Sequence, residues 1–375
     1  MRIGVDLLFL AAGRGGGIER YVRGLLAGFA RVGPDHEYVL FTNADCRGTF
    51  ELAPRFTEIA ANVSATFRPA KLVWEQTVLP VQLARERIDV LLAPANIAPI
   101  VHRCPTAVIM HDVIPFIRPE VFTRTERLAM RSLFRASALR SDTIITISES
   151  SRRDILRLFG VPPERVTVIP GACDEQFRPT PPTPESREAL RQHGVPDEYL
   201  LYVAAARSYK NVDGLIRAFR LLKDRGLRHS LVITGLADRA SADLVALADS
   251  LGLARDVVFS GFVDDRWLPA LYSAAAALVF PSLYEGFGLP VIEAMACGTP
   301  VAAANRTSLP EVVGDAGLLF DPDSPEDIAR TIERVLGDAA LREQLIARGI
   351  ARAKAFTWDR VAIETLAALS ATVLA

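Results

Sequence analysis

Short apolar runs alternate with longer amphipathic stretches along most of this chain. The apolar runs predict buried strands, and apolar positions that recur every three to four residues predict helices packed on them. Strands are expected at residues 2–10, 38–42, 64–67, 89–92, 106–111, 143–147, 166–169, 199–204, 230–234, 257–259, 274–280, 301–304 and 318–320. Helices are expected at residues 18–31, 75–86, 120–140, from 148 onward, 212–225, 240–251, 266–274, 289–296, 325–336, 339–355 and 358–374. This alternation indicates an α/β fold with parallel sheets.

Prolines are concentrated between the two halves of the chain. Five of them lie from position 170 to position 184, where apolar residues are few. Such a segment is typical of an interdomain linker, and 375 residues suffice for two domains of ordinary size. We therefore expect one domain over residues 1–170, a second over residues 171–355, and a last helix over residues 356–375.

The composition excludes several classes of protein. A formal net charge of −1 gives no electrostatic case for binding nucleic acid. No uncharged apolar run reaches the roughly 18 residues of a membrane-spanning helix, and the early Asp6 favours a first strand over a signal peptide. The four cysteines are far apart, which favours free thiols over disulfides or a zinc site. The expected location is cytoplasmic, with peripheral contact at the inner face of the membrane as an open alternative.

One stretch, PSLYEGFGLPVIEAMACGTP at residues 281–300, combines glycines with two acidic residues. Gly286 and Gly288 fall in a tight turn between an expected strand and an expected helix, where backbone N–H groups and the positive helix end suit a phosphate. Glu285 and Glu293 bracket the turn, and ionised carboxylates accept hydrogen bonds from hydroxyls. A phosphate with hydroxyls at both ends describes a nucleotide sugar. An ordinary structural turn, with two glutamates spaced by chance, is the alternative.

This stretch resembles the signature of the retaining glycosyltransferases of family four. The spacing E-x₇-E matches that signature, and the similarity continues through LPEVVGDAG at residues 309–317. The resemblance implies the GT-B fold, in which two Rossmann-like domains with parallel sheets face a central cleft, the first binding the acceptor and the second the nucleotide sugar. The string FTW at residues 356–358 resembles the family's break before a final helix that crosses back to the first domain.

The resemblance also implies a role for each part of the stretch. Glu285 would orient the donor sugar through its hydroxyls, and Glu293 would hold the ribose. Backbone N–H groups would face the donor diphosphate at four consecutive residues, namely Gly286, Phe287, Gly288 and Leu289.

Two cations follow the strand expected at residues 199–204. Lys210, in the pair Lys-Asn, matches a family lysine that holds the diphosphate. Arg207 lies closer to this lysine than the family's arginine does, and alanines replace the usual glycine before it. A solvated cation is the alternative, although the helix dipole disfavours positive charge at a helix start, which favours a bound anion.

The resemblance also implies that the backbone near Val263 meets the nucleotide base.

Two motifs of the first half add to the resemblance. Gly16 and Gly17 end a glycine cluster at residues 13–17, and they match the loop that approaches the donor phosphate in the family. A flexible loop is the alternative. His111 ends an expected strand in the string HDVIP, where open α/β sheets bind ligands. It resembles the family histidine that contacts the donor sugar; a structural histidine is the alternative.

A row of arginines occupies the helix expected at residues 120–140. Spacings of three to five place most of the row on one side of the helix, namely Arg124, Arg127, Arg131 and Arg135, followed by Arg140. A solvated face with local ion pairs is the ordinary explanation. Because family members often act on lipid-linked acceptors, contact with anionic lipid headgroups is the alternative.

The resemblance implies transfer of a hexose, with retention, from a nucleoside diphosphate sugar to a saccharide or lipid-linked saccharide. GDP-mannose is the favoured donor because the stretch is most similar to bacterial mannosyl- and rhamnosyltransferases of polysaccharide assembly; UDP- and dTDP-hexoses stay open. No Asp-x-Asp in a suitable loop and no His/Cys cluster occurs, so we expect no metal and no other cofactor. Two rival classes are a GT-B sugar-nucleotide epimerase and a non-catalytic protein that binds sugar nucleotides. The epimerase would carry further acid/base carboxylates, and the non-catalytic protein would not need His111, Lys210 and Glu285 together.

Overall fold

The computed structural model describes residues 1–11, 16–50, 53–66, 68–205, 207–235 and 239–374. The chain divides into two compact units. Met1–Ala172 and Thr357–Ala375 form the first unit, and Cys173–Phe356 forms the second. The boundary between Ala172 and Cys173 falls inside the proline-rich segment.

The first unit contains a sheet of seven parallel strands. They are β1 (Arg2–Asp6), β2 (Glu37–Thr42), β3 (Phe56–Ala60), β4 (Val90–Ala93), β5 (Thr106–Met110), β6 (Thr143–Thr146) and β7 (Val166–Val168). Their order is β3-β2-β1-β4-β5-β6-β7. All residues of β4 and β5 are buried, as in central strands of a sheet covered on both faces. The order reverses between β1 and β4, the kind of position where open sheets bind ligands.

The described residues of the first unit form six α-helices before the second unit begins. They are α1 (Gly16–Val32), α2 (Arg68–Thr77), α3 (Leu79–Arg85), α4 (Ile114–Ile117), α5 (Arg124–Arg140) and α6 (Glu149–Phe159). α5 begins with a capping box between Thr123 and Glu126. At the start of α6 the Ser148 hydroxyl accepts the Ser151 N–H at 3.0 Å, and the helix ends at Gly160 with φ 66°.

Two expectations for the first unit are wrong. Residues 64–66 form a loop, because the Ser64 hydroxyl and the Ala65 N–H both donate to the Asp45 carboxylate; the strand β3 lies earlier in the chain. Residue 67 lies outside the described residues. The single helix expected at residues 75–86 belongs instead to two helices, α2 and α3, and Pro80 lies in the first turn of α3. Proline lacks the N–H that a continuous helix would use.

The second unit contains a sheet of six parallel strands. They are β8 (Tyr199–Val203), β9 (Ser230–Thr234), β10 (Val257–Gly261), β11 (Ala277–Phe280), β12 (Val301–Ala304) and β13 (Leu318–Phe320). Their order is β10-β9-β8-β11-β12-β13, so the order reverses between β8 and β11. Two parallel sheets with this topology confirm the α/β expectation of two Rossmann-like domains.

Eight α-helices occur among the residues that the structure describes in the second unit. They are α7 (Pro184–Gln192), α8 (Val212–Asp224), α9 (Arg239–Ser250), α10 (Leu268–Ala274), α11 (Leu289–Ala296), α12 (Leu309–Val313), α13 (Pro325–Gly337) and α14 (Ala339–Ala353). The sequence analysis missed α7. The Thr183 hydroxyl accepts the Ser186 N–H at 3.1 Å, and Pro184 occupies the first turn, so the last proline of the segment starts a helix.

The last helix, α15 (Trp358–Leu374), returns to the first unit and packs on α1. A Cβ on Gly24 would lie 2.0 Å from Trp358 Cε2, and one on Gly28 would lie 2.6 Å from the Trp358 carbonyl oxygen. Gly24 therefore lets the buried indole approach the backbone of α1 closely, and Gly28 lets the backbone of α15 do the same.

Candidate active site

The turn between β11 and α11 lies where the strand order of the second sheet reverses. β8 and β11 are neighbours there, so the loops that follow them leave the same edge of the sheet, one with Lys210 and the other with Glu285. Gly288 has a φ of 114°, and a Cβ on it would lie 2.8 Å from Leu309 Cδ2. Both its conformation and its surroundings therefore require glycine.

Lys210 and Glu285 form an ion pair at this edge. Lys210 Nζ lies 2.6 Å from Glu285 Oε1, and the side chains are 14% and 12% exposed. The ammonium also lies 5.3 Å from the ring centroid of Tyr209 and 5.7 Å from that of Phe280. The fold thus holds a cation and a carboxylate together in a largely buried setting.

Asn211 ties the lysine loop to the segments that follow two other strands of the sheet. It adopts the left-handed conformation with φ 55°, which asparagine tolerates better than most residues. Its Nδ2 donates to the carbonyl oxygens of Pro281, at 3.3 Å, and Pro322, at 2.8 Å. The position of Lys210 is therefore fixed by contacts with the segments that follow β11 and β13.

The loop that carries Glu285 is held by the segment before α12. The Thr307 hydroxyl accepts the Glu285 N–H at 3.0 Å. The buried Ser308 hydroxyl lies 3.0 Å from the Glu285 carbonyl oxygen and 2.9 Å from that of Phe287. Neither hydroxyl was predicted from the sequence; the one available signal was that they precede the LPEVVGDAG string.

Glu293 lies in the second turn of α11 and is 2% exposed. The hydroxyl of the fully buried Tyr272, on α10, donates to Glu293 Oε2 at 2.8 Å. Burial and the Glu293 charge raise the pKa of the neighbouring Cys297 thiol to about 12. The structure therefore supplies a partner for Glu293 that the sequence analysis did not identify.

The other residues predicted in the second unit lie around the same sheet edge. Arg207 is exposed, and its guanidinium forms no ion pair with the residues that the structure describes. Val263 is buried and follows β10, three strands from β11, which corresponds to about 14 Å at the usual strand spacing. Phe287 is buried with its ring 5.7 Å from that of Phe356, and Leu289 is half-buried at the start of α11.

His111 belongs to the first unit, directly after β5. It is 6% exposed, and its Nε2 lies 2.8 Å from the carbonyl oxygen of Pro94. Because a carbonyl only accepts hydrogen bonds, Nε2 carries the proton and Nδ1 is an acceptor in the neutral ring. Burial lowers the pKa of His111 to about 4. The ring also makes an edge contact with Tyr21, 4.8 Å between centroids.

A second group of titratable side chains in the first unit was not predicted. Asp6 ends β1 and accepts the Leu8 N–H at 3.0 Å, and Lys71 Nζ lies 3.4 Å from Glu75 Oε2. Burial, with the charge of Glu75, holds the pKa of Asp6 far above its usual range. Burial also raises the pKa of Glu75.

Gly16 and Gly17 open α1, and both are exposed. Gly16 has a φ of 52°, a left-handed conformation that favours glycine. The remaining glycines of the cluster, at residues 13–15, lie outside the described residues.

The arginine row of α5 is not a uniform exposed face, which corrects the expectation from spacing. Arg131 is half-buried and donates to the carbonyl oxygens of Pro115, at 2.8 Å, and Phe116, at 3.3 Å. Arg135 donates to the carbonyl oxygen of Leu158 at 3.2 Å. Arg124 is exposed and Arg127 is half-buried.

In the described part of the chain, no three His, Cys, Asp or Glu side chains come together as a metal site. Among the same residues, no helix is both long and apolar enough to cross a bilayer.

Two family models match the chain. Residues 15–177 match Glycosyltransferase Family 4, and residues 185–352 match Glycosyl transferases group 1. The chain is 37% identical to the O-antigen chain mannosyltransferase B of Escherichia coli over 268 residues, 71% of this chain and 70% of that protein. It is 34% identical to the serotype-specific mannosyltransferase WbdA of Escherichia coli over 264 residues, 68% of this chain but 32% of that protein.

Solved structures share the fold along almost the whole chain. Sucrose-phosphate synthase from Thermosynechococcus elongatus superposes with a TM-score of 0.78 at 22% identity, covering 97% of each chain. Anabaena HepE in complex with UDP and glucose superposes with a TM-score of 0.77 at 22% identity, covering 99% of this chain and 100% of that one. Together with the family matches, these similarities confirm the resemblance seen in the E-x₇-E stretch: the chain belongs to glycosyltransferase family four and is a glycosyltransferase of the GT-B fold.

Proposed function

We propose that this enzyme transfers mannose from GDP-mannose, with retention, to a saccharide or lipid-linked saccharide. The observation that carries the proposal is the meeting of Lys210 and Glu285 beside the glycine turn, where the strand order reverses. The names of both Escherichia coli relatives support mannose as the sugar.

Negative charge on the leaving diphosphate is the main demand of this reaction. The bond from the anomeric carbon to the diphosphate oxygen breaks, and its electron pair stays with the diphosphate. The acceptor oxygen bonds to the same face of the sugar, and its proton passes to the departing diphosphate. Lys210, Arg207 and the N–H groups from Gly286 to Leu289 would stabilise the growing charge, aided by the positive end of α11. Loss of one such contact commonly costs about 10²–10³ in rate.

The two glutamates would bind hydroxyls at either side of the diphosphate. A carboxylate has room for about four hydrogen bonds. Glu285 can therefore keep Lys210 and still accept from a sugar hydroxyl, and Glu293 can keep Tyr272 and accept from the ribose.

The remaining predicted contacts complete the proposal. Because Nε2 of His111 donates to the Pro94 carbonyl oxygen, Nδ1 would accept a hydrogen bond from a sugar hydroxyl. Backbone near Val263 would meet the guanine, and Gly16 and Gly17 would approach the donor phosphate. His111→Ala and Gly16→Val should each lower kcat; unchanged kinetics would remove these residues from the mechanism.

A panel of nucleotide sugars read by thermal shift tests the donor. GDP-mannose should raise Tm more than UDP- or dTDP-hexoses at equal concentration, because the ligand that binds more tightly stabilises the fold more. A ligand at 100 times its Kd stabilises by about 2.7 kcal/mol. Lys210→Ala should reduce the shift. A larger shift with a UDP- or dTDP-sugar would show that GDP-mannose is not the preferred donor. Epimerisation of the nucleotide sugar without an acceptor would favour an epimerase over a transferase.

We further propose that transfer needs no metal ion. The site relies on Lys210 and backbone amides for positive charge, so activity should survive EDTA. Loss of activity in EDTA that Mg²⁺ or Mn²⁺ restores would overturn this part of the proposal.

We also propose a cytoplasmic enzyme that touches anionic lipid through the free part of the arginine row. Arg124 and Arg127 are the candidates, since the guanidinium groups of Arg131 and Arg135 donate to backbone carbonyls. Arg124→Gln with Arg127→Gln should weaken flotation with anionic vesicles by about 30-fold, at about 1 kcal/mol per charge. Arg334→Gln, exposed in the second unit, is the control. Equal recovery with neutral and anionic vesicles would refute lipid contact.

A further inference from the structure

Thr307 has a backbone conformation that is unfavourable for its residue type. Four non-glycine residues in the described part of the chain have positive φ, namely Arg87, Asn96, Asn211 and Thr307. Thr307, with φ 51°, is the β-branched member of this group. A branched Cβ makes the left-handed region costly, so the conformation persists only if surrounding contacts impose it.

The side chains of Thr307 and Ser308 form hydrogen bonds with the loop that carries Glu285. The Thr307 hydroxyl accepts the Glu285 N–H at 3.0 Å. The next residue, Ser308, is fully buried, and its hydroxyl reaches the carbonyl oxygens of Glu285 and Phe287 at 3.0 and 2.9 Å. Leu309 then packs against Gly288, leaving no room for a Cβ there. Three consecutive residues therefore form the support of one turn.

These contacts fix the direction of the amides in the turn. In a planar trans peptide the C=O and the following N–H point in opposite directions. Because Ser308 holds the carbonyls of Glu285 and Phe287, the N–H groups of Gly286 and Gly288 are directed away from Ser308. The Thr307 hydroxyl accepts the Glu285 N–H, and Lys210 Nζ contacts Glu285 Oε1 on the side chain.

We propose that Thr307 and Ser308 are positioning residues of the glycosyl transfer. Their hydroxyls orient the Gly286 and Gly288 amides toward the donor diphosphate and hold Glu285 in place for the sugar. In its left-handed conformation, Thr307 places this hydroxyl 3.0 Å from the Glu285 nitrogen. The inference rests on the proposed function of this turn.

Hydroxyl deletion with matched controls tests the proposal. Thr307→Val keeps the branched Cβ and removes the hydroxyl, whereas Thr307→Ser keeps the hydroxyl. Ser308→Ala is matched by Ser137→Ala in the first unit, where an equally buried hydroxyl accepts the Ala98 N–H at 3.0 Å. For each variant, Tm, kcat and donor KM are measured, together with binding of GDP, UDP and their sugars by calorimetry.

Thr307→Val and Ser308→Ala should lower kcat about 10- to 100-fold, as expected for a small misplacement of catalytic groups. Thr307→Ser should stay within about threefold of the wild type, and Ser137→Ala should lower Tm without lowering kcat. Equal kcat for Thr307→Val and Thr307→Ser would overturn the proposal, even if Ser308→Ala does not fold. A wild type that neither binds nor turns over any nucleotide sugar would refute the proposed function, and this inference with it. An active wild type with insensitive variants would refute this inference alone.

Discussion

Lys210 Nζ lies 2.6 Å from Glu285 Oε1, although 75 residues separate them in sequence. A pair of the same length joins Lys223 to Asp256 elsewhere in the second unit, with the lysine side chain 17% exposed. The two pairs have the same distance and similarly buried lysines, although the Asp256 side chain is 33% exposed and the Glu285 side chain 12%; they also differ in place. Lys210 stands where the strand order reverses, and Lys223 lies in the last turn of α8. Comparing them separates the chemistry of the site from the general effect of losing an ion pair.

Lys210→Ala should lower kcat by about 10²–10³, because it removes positive charge from the leaving diphosphate. Lys223→Ala should change kcat little, and it should lower Tm by about as much as Lys210→Ala does. Steady-state kinetics and thermal unfolding of the two variants measure both effects. Equal kcat in the two variants would show that Lys210 has only a structural role.

Tyr272→Phe should raise the KM for the donor by about tenfold, because a hydrogen bond to a charged group contributes about 1.5–3 kcal/mol. The hydroxyl holds Glu293, which we propose binds the ribose, so the loss is expected in ground-state binding more than in kcat. Tyr199→Phe is the matched control, since that buried hydroxyl donates to the carbonyl oxygen of Leu271 at 2.6 Å. A donor KM that rises equally in both variants would contradict a specific role for Tyr272.

His111 should make stability depend on pH in a defined direction. Its pKa is lowered from 6.5 to about 4 by burial, so the folded protein favours the neutral ring. Above pH 6.5 the ring is neutral in both states, and stability is not reduced. As pH falls from 6.5 toward 4, His111 is protonated more readily in the unfolded chain, so the free energy of unfolding decreases. The free energy of unfolding of the wild type should therefore fall by about 3 kcal/mol relative to that of His111→Gln over this range.

Urea unfolding of the wild type and His111→Gln at several pH values measures this difference. Asp6 titrates with the opposite sign, since its raised pKa gives stability that is lost as pH rises, but it is present in both proteins and cancels. A stability difference that stays constant between pH 7 and pH 4.5 would contradict a buried neutral His111.

Gly24→Ala should disrupt the contact between α1 and α15. The new Cβ would lie 2.0 Å from Trp358 Cε2, and overpacking of a buried contact typically costs about 1–3 kcal/mol or more. Gly337→Ala, at the end of α13, meets no atom within 4 Å and should be neutral or slightly stabilising. Chemical denaturation of both variants measures the difference. A neutral Gly24→Ala would mean that α15 does not pack closely on α1.

Local pattern was enough to predict much of the fold. The residues of β9, β12, β13 and α11 were predicted to the residue, because apolar runs and helix-starting prolines encode them locally. Pattern failed for two reasons: a distant contact overrode an expected strand, and a proline-rich composition obscured a local helix cap. Asp45 holds residues 64–66 in a loop, and Thr183 caps a helix in a segment rich in proline.

The sequence by itself determined the alternation of strands and helices, the glycine turn, and the identities of Lys210 and Glu285. Only the tertiary structure decided that β8 lies beside β11, which brings those two side chains together. It alone decided that Tyr272 holds Glu293 and that Ser308 supports the turn. The physical reason is that periodicity records which face of an element is buried. The partner across a sheet depends on strand order and chain crossover, which residue spacing does not encode.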